Sequence, residues 1–569
     1  MKSIYVVFFL VLVNAHLLGQ PKGYWHDKER KLRYSPEGKD IVIVNGDKRF
    51  NRALYGSNTA FRIETSDVPE FGFFMPHMGG NLQLGLAQDR RSLWLNDAEY
   101  IKSIYRSGSR IYEIRDPILK EGEIRITVLP LDGIDGMIMK IDVKDIPDSI
   151  KLISVFGGAS NKRFWRNGDL GVDDPEGFSL KNESCEGNQY SIQKNKFILT
   201  YGQKTKGGPR QIEGVFPLKA ELKTASPYQM MTPEDVWKSL ADESKPILLS
   251  MLNLQEKSYY IVIKNKDKSN ITYSDLLELY DRAEKRRLTI ANSLTVNTPD
   301  PFLNPLGGVI SAAADGVWQN SCWQHGAIGW RMPLNGWRAA YVGDAIGWHD
   351  RARMHFDGYA ASQITNIEPS IPHPSQDERL NLSRADKTWG TQMYSNGYIT
   401  RNQYETTKMH HYDMNLVYID ELLWHFNWTG DLDYVRKMWP TLKRHLAWEK
   451  RNFDPNDDGL YDAYACIWAS DALMYNSGGV TYSSAYNYRS NKMAAKLAKL
   501  IGEDYKSYEE EAAKILNAIN SSLWIKEKGW WAEYKDIMGN QLLHPNAGVW
   551  TVYHALDSEI HTLFQAYQA

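Results

Sequence analysis

The segment that begins at His411 reads HYDMNLVYIDELLWHFNWTGDLDYVRKMWPTLKRHLAWEKRN, and it decides the fold of the second half of the chain. Apolar residues recur at helical spacing on both sides of the polar WTGDLD connection, which predicts helices at 411–428 and 433–452. A connection this short makes the two helices antiparallel neighbours. A second pair, at 483–502 and 505–523, is joined by IGED, whose glycine suits the left-handed end of a helix.

The helical pattern extends on both sides of these pairs. Further segments with the same spacing lie at 306–319, 344–363 and 546–566. Three connections are long and rich in Trp, Tyr, Gly and Asp, namely 320–343, 364–410 and 453–482. Loops of this length in a compact domain are usually functional or disordered, and the aromatic-rich composition favours ordered, functional loops. Alternating short and long connections are typical of a barrel of helical hairpins, with its cleft at the long-loop end.

The first half of the chain has a different pattern. Short runs rich in β-branched and aromatic residues, such as EGEIRITVLPL and SYYIVIKN, are separated by Gly, Asp, Asn and Pro, which predicts a β-sandwich. TYSDLLELYDRAEKRRLTIANSLTV (272–296) predicts a linker helix, and a proline-rich segment follows it. We therefore expect a β-sandwich domain at 21–271, a linker helix and entry segment at 272–300, and a helical domain at 301–569.

The composition and the N-terminus limit the class of protein. The chain has 569 residues, enough for two domains, and its net charge of -2 does not favour nucleic acid or an anionic membrane. A ten-residue apolar run after Lys2 is too short to span a bilayer, so residues 1–20 are predicted to be a signal peptide. We expect a secreted or periplasmic protein that does not insert into a membrane after signal removal. Three cysteines without ligand spacing are expected to be free and buried.

The order of these segments resembles the six-hairpin (α/α)6-barrel glycosidases. The residues that carry the resemblance include GDAIGWHDRARMHF (343–356), DPNDDGLYD (454–462), WASD (468–471) and LWIKEKGWWAEYKDIMGN (523–540). The resemblance implies a multidomain protein with an N-terminal all-β sandwich, followed by an all-α (α/α)6 toroid. A complete barrel has twelve helices and about seven are predicted after the linker, so we expect an incomplete barrel and a C-terminally truncated chain.

Glycoside hydrolysis needs carboxyl groups on both sides of the scissile bond, and three candidates stand out. Asp471 follows Trp468 in a long aromatic loop, and it resembles in position the general acid of related inverting families. It is also a natural N-cap for a helix that starts at Ala472. Asp344 is either an N-cap of helix 344–363 or a sugar contact. Glu421 lies mid-helix beside Asp420, and only one of the two is expected to face the cleft.

Aromatic and polar residues near these acids are the predicted substrate-binding residues. Flat indoles cover the apolar faces of sugars, and the planar donor fork of an arginine suits hydroxyl groups. The predicted set consists of Trp337, Arg338, Trp348, His349, Asp350, His411, Trp468 and Tyr475.

No cofactor and no metal site are predicted. His410 and His411 have no acidic partner at a suitable spacing. DPNDDG (454–459) matches the first half of a calcium loop, but the twelfth position is Ala465 and not the bidentate Glu. A plain turn is therefore the favoured interpretation, with calcium as the alternative.

These patterns together predict an exported glycoside hydrolase that cleaves an oligo- or polysaccharide by an inverting acid/base mechanism. A glycoside phosphorylase on the same fold is an alternative, as is a noncatalytic carbohydrate-binding protein. A polysaccharide lyase with a helical toroid is a further one. The sequence does not identify the sugar, the second catalytic carboxylate or the oligomeric state.

Overall fold

The computed structural model describes most of the chain in two units. The described residues are 23–25, 28–30, 34–74, 80–89, 91–159, 178–205, 207–227, 231–240, 244–328, 331–367, 394–408, 412–466, 473–475, 477–537 and 540–569. The first unit comprises 1–57, 61–164 and 173–312, and the second comprises 58–60, 165–172 and 313–569. These boundaries are close to the expected division near residue 300.

Two large antiparallel sheets make up the first unit. In spatial order the ten strands of one sheet are Gln189–Gln193, Lys196–Tyr201, Arg210–Val215, Ser258–Asn265, Gly136–Lys144, Glu123–Pro130, Ser109–Arg115, Tyr100–Arg106, Asp40–Val44 and Ser35–Glu37. The second sheet has eight strands. Seven of them are, in spatial order, Glu221–Ala225, Ile247–Asn253, Lys151–Gly157, Asn81–Gln88, Glu70–Phe74, Arg62–Thr65 and Arg52–Leu54. The eighth strand, Arg91–Trp94, pairs with Asn81–Gln88. A separate hairpin pairs Gly23–Trp25 with Lys28–Arg30.

The core of this unit lies between the two sheets. Alternate residues of one strand, Ile124, Ile126 and Val128, are completely buried, as the two-residue period of a strand requires. Rings from opposite sheets meet edge to face, with 5.8 Å between the centroids of Phe71 and Tyr112. The predicted β-sandwich is therefore confirmed, because residues of both sheets form one hydrophobic cluster.

The linker helix is present but shorter than predicted. A 3-10 turn at Tyr273–Asp275 leads into a helix at Leu276–Ala291, and Thr272 and Asp275 form a capping box at its start. A short helix at Pro233–Lys238 precedes it in the chain. The helix ends five residues before the predicted position, where Asn292 and Ser293 follow, two residues with lower helix propensity. We call the helices at Pro233–Lys238 and Leu276–Ala291 α1 and α2.

Hairpins of α-helices make up the second unit. In chain order the helices that follow α2 are α3 (Leu306–Gly316), α4 (Tyr341–Ala345), α5 (His349–Ala360), α6 (Met414–Thr429), α7 (Leu432–Phe453), α8 (Thr481–Ile501), α9 (Lys506–Ser522), α10 (Val549–Asp557) and α11 (Leu563–Gln568). Helix α3 crosses the boundary between the units. The α6–α7 and α8–α9 pairs confirm the two predicted hairpins, and their turns use Gly430 and Gly502 at positive φ.

Two predicted helices are each divided into two. The segment 344–363 contains α4 and α5, because Gly347 at φ 81° bends the chain between them. Asp344 lies inside α4, and the N-cap of α5 is Trp348, so the prediction that Asp344 caps this helix is wrong. The segment 546–566 is interrupted at Glu559, also at positive φ, so the continuous helix expected there is replaced by α10 and α11.

The helical unit has two distinct ends. Long connections enter α6, α8 and α10 at their N-termini, and we call this side the loop end. Short turns after α6 and α8 define the opposite side, the turn end. The long connections contain short strand pairs, including Ala465–Cys466 with Leu473–Met474 and Tyr534–Asp536 with Leu543–His544. The loop end is the side on which the sequence predicts a cleft, and that cleft stays a prediction.

Helix α6 is the innermost of the described helices, because nearly every residue from Met414 to Phe426 is buried. Helix α7 is amphipathic, and Glu449 is a charged residue on its buried face. Cys185 and Cys322 are free and buried, as predicted, whereas the side chain of Cys466 lies outside the described residues. In the described part of the chain, no helix combines the length and the apolar character that crossing a bilayer requires.

Candidate functional site

The carboxylate of Glu533 organises the loop end. Tyr475 Oη donates to Oε1 at 2.8 Å, and Trp550 Nε1 donates to the same oxygen at 2.9 Å. The backbone N–H of Gly548 donates to Oε2 at 2.8 Å, and the Thr551 hydroxyl also donates to Oε2. Four donors fill the lone pairs of one carboxylate, which in its ionised form only accepts hydrogen bonds. Glu533 thereby ties the α7–α8 connection to the first turn of α10.

Aromatic rings surround this carboxylate. The ring of Tyr475 lies 5.2 Å from that of Tyr534 and 6.3 Å from that of Tyr482, and Tyr534 stacks on His544 at 4.0 Å. Tyr475 is only 2% exposed, so the structure places this predicted substrate-binding residue beneath the surface, where it orients Glu533. Contact of Tyr475 with a sugar stays a prediction.

A second polar cluster lies in the interior, between α6, α8 and α10. Arg489 Nε lies 2.9 Å from Asp420 Oδ1, and Arg489 NH1 lies 2.6 Å from Asp557 Oδ2. The Tyr341 hydroxyl donates to Asp420 as well. Burial raises the pKa of Asp420 to about 6, although the Arg489 guanidinium opposes the shift. Asp420 therefore stays ionised at neutral pH and joins three helices through one arginine.

Glu421 points to a different partner from its neighbour. Its Oε1 accepts from the backbone N–H of Ala340 at 3.0 Å, while Asp420 faces Arg489. Burial raises the pKa of the Glu421 carboxyl well above its usual value, although the Ala340 N–H opposes the shift. Both residues are 1% exposed and contact different partners, so the expectation that only one of them faces the cleft stays a prediction.

The predicted residues Trp337 and Arg338 lie above this interior cluster. Trp337 is partly buried, with its ring 4.5 Å from that of His325. Arg338 is exposed at φ 62°, donates to the Tyr553 hydroxyl and places its guanidinium 5.4 Å from the Tyr553 ring. Gly336 allows this segment to approach α6, because a Cβ there would lie 2.1 Å from the Met414 carbonyl oxygen.

Asp344 and His349 lie instead at the turn end. Asp344 Oδ1 is 2.7 Å from His349 Nδ1 and 2.9 Å from Nδ1 of His425, which is on the last turn of α6. Trp348 lies next to them in the chain, and the Arg351 guanidinium is 4.5 Å from its ring. Asp350 is exposed. The predicted cluster from Trp337 to Asp350 is therefore divided between two places in the unit.

Three predicted residues, Asp471, Trp468 and His411, lie outside the described residues, as does His410. The strands on both sides of Asp471 are described, and they pair as Ala465 with Met474 and Cys466 with Leu473. The roles of these residues stay predictions.

The acidic side chains of the turn at 454–459 form ion pairs with lysines. Asp457 lies 2.6 Å from Lys450 Nζ and 2.5 Å from Lys514 Nζ, and Asp454 also contacts Lys450. Asp454 accepts from the backbone N–H of Gly459 at 3.2 Å. These contacts are those of a closed turn, and they direct Asp454, the first ligand position of the calcium pattern, toward a lysine.

Sequence reasoning missed Glu533 as a site residue. It stands in GWWAEYKD (529–536), directly after two tryptophans, and tryptophans close to a carboxylate were the signal used for the other candidates. Arg489 gave no such signal, because its partners Asp420 and Asp557 lie 69 and 68 residues away in the chain.

Two family models match this chain. Residues 75–284 match a domain of unknown function (DUF4450), and residues 396–547 match the bacterial alpha-L-rhamnosidase six-hairpin glycosidase domain. The matched helical segment contains α6 to α9 and Glu533. The predicted resemblance to six-hairpin glycosidases is confirmed by this match. A search of curated proteins found no match.

Solved structures with a related arrangement have low sequence identity. A bacterial glucoamylase complexed with acarbose is 10% identical. The match covers 87% of this chain and 74% of the glucoamylase, with a TM-score of 0.49. A rhamnosidase from Klebsiella oxytoca with rhamnose bound is 12% identical. The match covers 67% of this chain and 71% of the rhamnosidase, with a TM-score of 0.34. A family GH92 inverting mannosidase from Bacteroides thetaiotaomicron is 8% identical. The match covers 90% of this chain and 64% of the mannosidase, with a TM-score of 0.41.

Proposed function

We propose that this chain, whose residues 396–547 belong to a six-hairpin glycosidase domain, hydrolyses glycosidic bonds of an oligo- or polysaccharide. The observation that carries the proposal is the bonding of Glu533. Its hydrogen bond from Tyr475 anchors the connection that contains Asp471, next to the N-termini of α8 and α10. A carboxyl group on a connection held in this way suits proton transfer, which needs a donor within hydrogen-bond reach of the leaving oxygen.

In the proposed inverting reaction, Asp471 donates its proton to the glycosidic oxygen as the bond to the anomeric carbon breaks. A water molecule attacks the opposite face of the sugar and loses its proton to a second carboxylate. Inverting enzymes hold the two carboxyl groups about 6.5–9.5 Å apart so that this water fits between them. Glu533 acts as a positioning residue, because its lone pairs are occupied by protein donors.

Glu421 is the reserve candidate for the acid. Burial raises its pKa, which is the direction that a general acid requires, but substrate contact needs Ala340 to move away from the carboxyl. We leave Asp344 out of the proposed reaction, because it lies at the turn end with two histidines. Arg338 and Trp337, the latter packed on His325, are the described side chains that we assign to sugar binding.

We also propose that the mature protein works outside the cytoplasm, on the basis of the apolar N-terminal run. Its partner is a carbohydrate, as the six-hairpin domain implies. Because the matching family model is that of bacterial alpha-L-rhamnosidases, aryl α-L-rhamnosides are the first substrates to test, followed by α-mannosides and α-glucosides.

The test measures release of the aryl group and follows the anomeric product by NMR. We expect the product of inversion, and Asp471→Asn should reduce turnover by roughly 10²–10⁴-fold with sugar binding retained. Asp433→Asn is the matched control, since its side chain is 93% exposed on the first turn of α7, and it should keep full activity.

Other outcomes separate the alternatives. Normal turnover in Asp471→Asn together with loss in Glu421→Gln would transfer the acid role to Glu421. Cleavage that depends on added phosphate would identify a phosphorylase, and unsaturated products would identify a lyase. Sugar binding without turnover across the panel and a wider set of natural glycans would support the noncatalytic alternative and contradict the proposal.

A further inference from the structure

Three side chains from three consecutive helices converge at the turn end. Asp344 lies on α4, His349 is the first residue of α5, and His425 is on the last turn of α6. Nδ1 of His349 lies 2.7 Å from Asp344 Oδ1, and Nδ1 of His425 lies 2.9 Å from both Asp344 carboxylate oxygens. One potential ligand atom from each residue lies within 4.8 Å of the other two.

The three side chains offer ligand atoms of the types that metal sites use. Both imidazoles turn Nδ1 toward the carboxylate of Asp344, whereas Nε2 of His425 faces away from it and is buried without a hydrogen-bond partner among the described residues. The candidate ligand atoms are therefore two Nδ1 atoms and one carboxylate oxygen. Imidazole nitrogens and carboxylate oxygens are ligands that zinc sites in proteins use.

The ligand types and their exposure select the metal. Two imidazole nitrogens and one carboxylate oxygen suit zinc, which binds such ligands at about 2.0–2.2 Å in a tetrahedral arrangement. Neighbouring ligand atoms are then about 3.3 Å apart, so the present spacing must open by about half an ångström. Because the His349 side chain is 42% exposed at the start of a helix, it can make this movement without disturbing the core.

We propose that Asp344, His349 and His425 bind one Zn²⁺ ion, with water at the fourth position. The side chains of Asp344 and His425 are 3% and 0% exposed and form the buried part of the site. The ion reaches the site from the side of His349, whose side chain is 42% exposed. The ion links α4, α5 and α6 at the turn end and stabilises the first bend of the helical unit. Proton transfer is assigned to the loop end, so this inference does not rest on the proposed function.

The experiment uses the whole chain without a histidine tag, stripped with EDTA and then dialysed. Titration with ZnCl₂ is followed by calorimetry, and titration with CoCl₂ is followed by visible absorbance. We expect saturation at one ion per chain, with intense Co²⁺ bands typical of a tetrahedral site.

The decisive variant is His349→Ala, because this half-exposed side chain can be removed with little effect on folding. Loss of one ligand should weaken Zn²⁺ binding by roughly tenfold or more. The controls are His561→Ala, which removes a histidine outside the cluster, and Asp350→Asn, which changes the exposed neighbour of His349. Both controls should bind Zn²⁺ as the unchanged chain does.

The proposal is overturned if no saturable one-to-one binding occurs, or if His349→Ala binds Zn²⁺ as tightly as the unchanged chain. Weak, non-stoichiometric zinc with an octahedral Co²⁺ spectrum would indicate adventitious surface binding only and would also overturn it. If His349→Ala fails to fold, the Co²⁺ spectrum of the unchanged chain still decides between these outcomes.

Discussion

The loop end and the turn end of the helical unit each contain a buried carboxylate, but the partners differ. Glu533 at the loop end accepts hydrogen bonds from a phenol, an indole, a hydroxyl and a backbone amide. Asp344 at the turn end lies between two imidazoles. The first set of partners donates to the carboxylate, whereas an imidazole nitrogen with a free lone pair can bind a metal cation. A buried carboxylate therefore acts as a clamp at the loop end, where it holds the α7–α8 connection to α10. At the turn end a buried carboxylate is instead part of the proposed set of metal ligands.

This comparison shows that burial alone does not assign a role to an acid. Glu449, on α7, is also buried, and its carboxyl accepts a hydrogen bond from the Asn487 amide at 3.0 Å. Burial raises the pKa of Glu449 to about 8. A role follows from the number and the kind of donors around the carboxyl.

The largest effect is expected for Glu533→Ala. It leaves four donors without their acceptor, and we expect unfolding free energy to fall by about 4 kcal/mol in urea denaturation. Glu527→Ala is the matched control, because this glutamate is exposed in the same connection and its loss should change stability by less than about 0.5 kcal/mol. Equal stability of the two variants would mean that Glu533 is not a clamp.

A smaller effect is expected for Gly336→Ala. The new Cβ would lie 2.1 Å from the Met414 carbonyl oxygen and 2.6 Å from the Tyr418 nitrogen, both backbone atoms of α6. The segment before α4 must move, at a cost of about 3 kcal/mol in unfolding free energy. Thermal unfolding measures this loss, and an unchanged melting temperature would show that the segment does not pack against α6 as described.

A pH-dependent effect is expected for Glu449→Gln. The folded-state pKa of Glu449 is raised from 4.5 to about 8, so between these values the folded state holds a proton that the unfolded state has lost. The stability from this group is complete below pH 4.5 and is lost as pH rises through 8. A neutral glutamine has no such loss, so the variant should gain about 1.4 kcal/mol per pH unit relative to the unchanged chain between pH 5 and 7.5.

Urea denaturation at several pH values checks this prediction. Asp458→Asn is the control, because this exposed acid in the turn after α7 should give a difference that does not change with pH. A constant difference between Glu449→Gln and the unchanged chain would show that the pKa of Glu449 is not raised by its burial.

The smallest effect is expected for Gly347→Ala, at the bend between α4 and α5. No atom lies within 4 Å of the added Cβ, so the cost comes only from the positive φ of 81° and should be about 1 kcal/mol. The comparison with Gly336→Ala separates backbone strain from steric overlap. A larger loss at Gly347 than at Gly336 would reverse this assignment.

Most of the architecture was predictable from local patterns. The period of apolar residues gave the β region, the α6–α7 and α8–α9 hairpins and the position of the linker helix. Helix ends were less predictable: the bends at Gly347 and Glu559 depend on single backbone conformations that an average over a window does not detect. Trp337 and Arg338 were predicted and lie together, whereas Asp344 and His349 were predicted in the same cluster and lie at the turn end.

The sequence by itself determined the division into a β-sandwich and helical hairpins, because hydrophobic period and turn residues act between near neighbours in the chain. Tertiary structure alone decided which carboxylate meets which partner. Tyr475 reaches Glu533 across 58 residues, and His425 reaches Asp344 across 81. Contacts at such separations depend on how complete helices pack, and no local pattern encodes that packing.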